Sequence, residues 1–379
     1  MKKLLLLLYM IPATLAAQPK PPKTLDLLIG TYTTNGSDGI YVYRFYTESG
    51  RLAYLSRTER NVDNPSYLCV SANGRFIYSV NEIGDDRKGS VSAFSFEPKV
   101  GKIELLNKQT TGAGPCYISV DKAQKHVFSA NYAGGSMYVF PVNKDGSLAP
   151  ASQVLQGPST GLGPNKSRQD KPHVHTAILS PDEKNLLWTD LGADKVNIYR
   201  YKASQAQPLT PASPASISVA PGEGPRHIDF TPNRKYMYLA TEMGGNVIAY
   251  EYNNGQPKQI QSISMIPDGY TKQTGGADIH VSPDGKFVYA TNRGDANEII
   301  VYAINSETGL LTFIERQGTL GNHPRNFVID PTGSYLLVAN QKSNNIVVFK
   351  INKTTGKLTP TSTRLEISSP SCLKFASAE

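Results

Sequence analysis

One pattern returns six times along this chain, at a spacing of about fifty residues, a period typical of propeller blades. Each copy opens on a Pro, runs through a short strand and a turn such as Ser-Pro-Asp-Gly, then ends a second β-branched or aromatic strand on a polar residue. The copies begin at Pro65 (PSYLCVSANGRFIYSVN), Pro115 (PCYISVDKAQKHVFSAN), Pro172 (PHVHTAILSPDEKNLLWTD), Pro225, Gly276 and Pro324. In five of them sixteen positions separate the first residue from the last, as from Pro65 to Asn81. The third carries two extra residues, which moves its frame to Val174. Every copy is followed by another alternating strand, such as VSAFSF after Ser90 or VNIYRY after Lys195, and by a turn with a fourth segment. Four short alternating strands separated by turn residues make one antiparallel blade.

The ends supply a seventh blade. The C-terminus holds only a first strand, PSCLKF from Pro370, and the N-terminus only later ones, around Leu25, Gly39 and Leu52. Joined in one sheet they close the ring and remove a pair of exposed edges. The expectation is an all-β, seven-bladed β-propeller over 25–379, one domain although about 355 residues would otherwise suggest two.

The stretch before it reads differently. Lys2 and Lys3 precede an apolar run from Leu4 to Met10, then Pro12 and the small residues of 13–17. A basic start, a short apolar core and a small-residue exit describe a secretory signal over 1–17, and the run is too short to span a bilayer. A Pro-rich tether over 18–24 follows. The chain is therefore expected to be exported, to the periplasm, with no membrane span.

Charge and cysteines narrow the partners. The formal charge is +8 and falls to +6 without Lys2 and Lys3, and no block of five basic residues appears. A nucleic-acid partner is not indicated, while a modest basic excess suits attraction of a small anion. Three cysteines, Cys69, Cys116 and Cys372, are an odd number and exclude a full disulfide framework. A monomer handling a small anion is expected.

In a propeller the first strand of each blade lines the central channel and the second runs antiparallel beside it. First-strand starts and second-strand ends therefore share one face near the axis. The residues after the opening position are Ser66, Cys116, His175, Arg226, Ala277, Arg325 and Ser371. The second strands end on Asn81, Asn131, Asp190, Thr241, Asn292, Asn340 and Thr31, followed by Glu82, Tyr132, Leu191, Glu242, Arg293, Gln341 and Tyr32. One channel mouth thus gathers His175, three arginines and two glutamates. Much of the Asn ring is expected to hold the turns that follow it. Buried charge is costly unless paired, so converging arginines point to an anionic ligand.

At these residues the sequence resembles a known family. The segments PHVHT from Pro172, GPRH from Gly224, DLG from Asp190, DIHVSPDG from Asp278 and PRNFVIDPTG from Pro324 are similar to the lactonase family of seven-bladed propellers. That family includes bacterial 6-phosphogluconolactonases and the fungal 3-carboxy-cis,cis-muconate lactonizing enzyme, and the resemblance runs from Leu28 to Phe375. It implies catalytic roles for His175, Arg226, Glu242 and Arg293, with Arg325 as the alternative second arginine. It also brings in Arg168 and Gln169, on the Gly/Pro-rich loop before His173. Substrate contacts are expected from Arg168, His173, His227 and Arg325, and from Asn81, Glu82, Asn131, Asp190, Asn292 and Asn340 around the rings.

Lactone opening needs an activated water, a stabilised oxyanion and a proton for the leaving oxygen. His175 suits the proton transfer, with Glu242 orienting it or acting as the base. Arg226 suits the oxyanion, and Arg293 and Arg325 suit a bidentate grip on carboxylate or phosphate. No Gly-x-Ser-x-Gly elbow occurs, so an acyl-serine route has no support. Glu82, Asp190 and the Asn ring could imitate the calcium sites of other propeller lactonases, but the neighbouring arginines argue against a dication. No metal and no cofactor is expected. Hydrolysis of a sugar-acid lactone is the leading reading, beside muconate-type cycloisomerisation and non-catalytic ligand binding, since propellers serve all three.

Overall fold

The computed structural model describes residues 22–59, 62–83, 88–253 and 255–378; the expected signal, 1–17, and most of the tether lie outside them. Among the described residues, seven four-stranded antiparallel sheets form the ring, and beside them stands one short 3-10 turn, Thr33–Asn35. Closure follows the expected route. Strand Pro370–Ser377 pairs with Thr24–Thr31, Leu27 opposite Phe375 and Ile29 opposite Leu373, inside the sheet completed by Tyr41–Tyr46 and Arg51–Arg57. Thr24, assigned to the tether on sequence, already belongs to this first strand.

Burial along the strands explains why they stack as blades. Second strands such as Tyr236–Thr241 and Tyr335–Asn340 are buried at every position, because sheets cover both of their faces. Outer strands such as Leu358–Glu366 alternate buried or half-buried with exposed residues, since only one face meets a neighbour. The apolar contacts run between blades, as where Tyr335, Leu337 and Val348 meet Leu27, Ile29 and Phe45 across the closing junction.

One irregularity recurs and matters for function. The pairing of first and second strands slips between Pro115 and Tyr117, Val174 and Thr176, Pro225 and His227, and Pro324 and Asn326. Side chains along a regular strand alternate between faces. A β-bulge sets two residues against one and breaks that alternation. Cys116, His175, Arg226 and Arg325 are the bulged residues. In the blade that opens at Pro225 the bulge lets consecutive residues, Arg226 and His227, both reach the next blade's first strand, at Ala277 and Asp278.

Candidate active site

The predicted catalytic residues come together at one mouth of the channel, and Glu242 is their hub. Arg226 Nε donates to Glu242 Oε2 at 3.0 Å, Arg293 Nη2 lies 3.0 Å from the same oxygen, and Arg168 Nη2 donates to Oε1 at 2.5 Å. Glu242 is 9% exposed and Arg226 1%. Burial works against the carboxylate, but Arg293, Arg226 and the other cations hold it well below the usual carboxylate range. A carboxylate so occupied is a poor proton acceptor, and its contacts orient the arginines around it.

Each arginine is tied by more than charge. Arg226 Nη1 donates to the Ala277 carbonyl at 2.5 Å, and Arg293 donates to the carbonyls of Gly275 and Gly276. A guanidinium carries five N–H donors, so Arg226 keeps donors for a ligand after two contacts. A Cβ on Gly276 would sit 2.1 Å from the Thr241 carbonyl oxygen, so only glycine permits this approach. Arg325 stands slightly apart: its Nη2 is 3.9 Å from Glu82, and its guanidinium lies 5.5 Å from the centroid of the Tyr32 ring. Glu82 in turn accepts from Tyr32 Oη at 2.7 Å and from Ser66 Oγ. Arg293, not Arg325, shares the Glu242 cluster.

His175 is 4% exposed and has no partner at Nδ1. Burial first, then the Arg226 charge, holds its imidazole well below the ordinary histidine range. It is neutral at neutral pH, the form a general base needs.

The loop before His173 overhangs this mouth as the sequence suggested. Fully buried Gln169 donates to the Leu191 carbonyl at 2.9 Å and pins the loop, while Arg168 reaches Tyr132 Oη and Glu242. A Cβ on Gly192 would lie 1.9 Å from the Lys171 carbonyl oxygen, which explains the glycine of the Asp190-Leu-Gly segment. His173 stacks on Tyr132 with centroids 4.4 Å apart, and its two ring nitrogens face the Tyr132 carbonyl and Asp170.

The polar ring at the second-strand ends is engaged in the fold. Asn81 donates to the Asp63 carbonyl, Asn131 accepts from Thr111, Asn292 accepts from Thr274, and Asn340 donates to the Thr319 carbonyl. Asp190 accepts from the backbone of His173 and Ala193. His227 lies one layer below the mouth, against Asp278. No group of three or more His, Cys, Asp or Glu able to hold a metal ion occurs among the described residues.

A cavity of about 520 Å³ opens beside Glu242, lined by Arg168, Arg293 and Gln273 and also by Asn322, His323 and Lys342. Sequence reasoning missed the last three, which sit in loops outside the repeat frame. A signal was present for His323. The residue before the opening Pro has positive φ in several blades, with Gly114 at 57° and Gly224 at 62°, and His323 takes the same conformation at 63°. Other blades place Gly114, Gly224, Asn64 and Ser369 at this left-handed position, where an imidazole is uncommon.

The lactonase seven-bladed β-propeller family profile matches residues 26–375. The chain is 41% identical over 350 residues to a Bacillus subtilis 6-phosphogluconolactonase, covering 92% of this chain and 97% of that one. It is 37% identical over 355 residues to a Formosa agariphila 6-phosphogluconolactonase. A Pseudomonas aeruginosa structure described as a periplasmic gluconolactonase superposes with a TM-score of 0.89 at 37% identity, over 94% of this chain and all of that one.

Proposed function

The chain belongs to the lactonase family of seven-bladed β-propellers, and on that premise we propose that it hydrolyses an anionic sugar-acid lactone at the Glu242 mouth. It is a lactone hydrolase. The observation that carries the site assignment is a neutral, buried His175 beside guanidinium groups fixed by one carboxylate. Four arginines against Glu242 and Glu82 leave a net positive mouth for a carboxylate or phosphate.

His175 takes a proton from water as the water oxygen bonds to the lactone carbonyl carbon. Arg226, with donors left over, stabilises the oxyanion that forms there. His175 then returns the proton to the ring oxygen as the ester bond breaks. Arg293 and Arg168, with Glu242 between them, hold the sugar acid, and Arg325 grips its remote anionic group beside His323 and Lys342. The site uses no metal or cofactor, and the protein acts as a monomer.

The muconate-type and binding-only readings are not favoured, because the relatives named above are lactonases. We place the mature protein in the periplasm, supported by the Lys2–Ala17 segment and the periplasmic relative. Acid release from D-glucono-1,5-lactone, its 6-phosphate and a muconolactone, followed by pH-stat, tests the reading. Turnover of the 6-phosphate above that of the neutral sugar lactone supports it; no preference for the 6-phosphate, or turnover of the muconolactone alone, overturns it.

A further inference from the structure

Two buried imidazole nitrogens beneath the mouth have no hydrogen-bond partner, Nδ1 of His175 and Nε2 of His227. Their rings lie 5.1 Å apart between centroids, inclined at 64°. Ring nitrogens at a hydrogen-bond distance of about 3 Å place imidazole centroids about 5 Å apart; the two nitrogens do not bond as the rings stand, and at this separation a small rotation of either ring brings them together.

The neighbouring carboxylate settles where the protons sit. His227 Nδ1 is 2.6 Å from Asp278 Oδ1. A buried, ionised Asp278 only accepts, so that nitrogen carries the hydrogen. Burial, and then Arg226, hold the His227 imidazole down to about 3, so its Nε2 bears a lone pair at neutral pH. The groups facing His227 are Arg226, Asp278, Lys374 and the rings of Tyr67, Tyr117 and His175. Of these, the Nδ1–H of a neutral His175 is the one donor that, turned toward His227 Nε2, would satisfy both orphaned nitrogens at once.

Asp278 is itself fixed. Its Oδ2 accepts from the Phe327 amide at 3.2 Å and from Asn326, and lies 3.1 Å from His280 Nε2. Four successive inner strands thus carry His175, His227, Asp278 and Asn326 in a row around the channel.

We propose that the Asp278–His227 pair positions the catalytic histidine, by accepting the Nδ1–H of His175 and so leaving His175 Nε2 to take the proton of the attacking water. This rests on the lactone-hydrolysis reading above. In the first step a water O–H bond breaks toward His175 Nε2, the water oxygen bonds to the lactone carbonyl carbon, and the carbonyl π pair moves to oxygen. In the second, the tetrahedral carbon expels the ring oxygen, which takes back the proton from His175 Nε2. Nδ1 keeps its hydrogen throughout, and the His227 lone pair stabilises the transient imidazolium.

The test combines a spectroscopic and a kinetic reading on the full chain. Imidazole ¹⁵N NMR of histidine-labelled protein should show His175 protonated on Nδ1, and His227→Gln should shift it toward the Nε2–H tautomer. With D-glucono-1,5-lactone or its 6-phosphate, whichever turns over, His227→Gln should lower kcat by roughly 10²-fold and leave KM unchanged, in a variant still folded at the assay temperature. An Nε2–H tautomer of His175 in the wild type, or a folded His227→Gln with wild-type kcat, overturns the proposal. Should the variant fail to fold, the wild-type spectrum alone decides. No turnover of either lactone by the wild type defeats the hydrolase reading instead, while the tautomer still reports on the pairing.

Discussion

Arg226 and Glu242 meet at 3.0 Å across the opening of one blade, where a bulged first strand faces the end of the second. Both are almost sealed from solvent, and Glu242 also holds Arg293 and Arg168. The pair therefore organises the mouth more than it reacts. Glu242→Gln should destabilise the fold by about 3 kcal/mol, the cost of leaving a buried cation unpaired. It should also raise KM, with the acid limb of the pH–rate profile unmoved. Urea melts and a pH series check both. Loss of the acid limb would make Glu242 the base.

Arg325 should behave differently from Arg226. Its contacts are a 3.9 Å approach to Glu82 and the face of Tyr32, so gripping substrate does not disturb the Glu242 cluster. Arg325→Met should raise KM several-fold with little change in kcat, because a remote anionic group is held alike in ground and transition states. Steady-state kinetics on the 6-phosphorylated and plain lactones decide; equal KM effects on both would place the phosphate elsewhere.

Stability should peak near pH 6.5. The His227 imidazole is held down to about 3, so below 6.5 the unfolded chain binds a proton that the folded one refuses, and stability falls with pH. His280, lifted to about 9 by Asp278 and Asp229 despite its burial, contributes stability that is full below 6.5 and lost as pH rises through 9. Each group gives a slope of at most about 1.4 kcal/mol per pH unit. His280→Gln should flatten the alkaline limb of a pH–melting curve, and an unaltered limb would contradict this origin.

Deleting residues 368–379 removes the inner strand of the closing blade. Leu373 and Cys372 are fully buried there, opposite Ile29 and Gly30. Burial of Leu373 alone contributes about 1.5–3 kcal/mol, and the first strands of both flanking blades lose the strand packed between them. The melting temperature should drop sharply. A truncated chain melting like the full one would mean that the ring does not close through this strand.

The architecture was legible because each blade repeats one solution to the same packing problem. The opening Pro, the Ser-Pro-Asp-Gly turn and the terminal Asn return at fixed offsets, and the unmatched ends imply closure. The convergence of His175, Arg226, Glu242 and Arg293 followed from the same frame. The bulges did not follow, since no residue type marks the extra position after Pro225. His227, next to a mouth residue, therefore read as a substrate contact, whereas it lies against Asp278. Lys342 and Asn322 were hidden for another reason: they sit in inter-strand loops whose path over the cavity no periodicity encodes.

The most direct measurement compares lactone turnover by wild type and His175→Asn, each with a melting curve. His175 stands at the channel mouth, and its Nδ1 serves only the His227 contact proposed above, so the substitution should leave the fold intact. Hydrolysis of the preferred sugar lactone should fall by about 10²- to 10³-fold, the loss expected of a proton-transfer group. A folded His175→Asn enzyme that hydrolyses the lactone at the wild-type rate would show that the reaction takes place elsewhere.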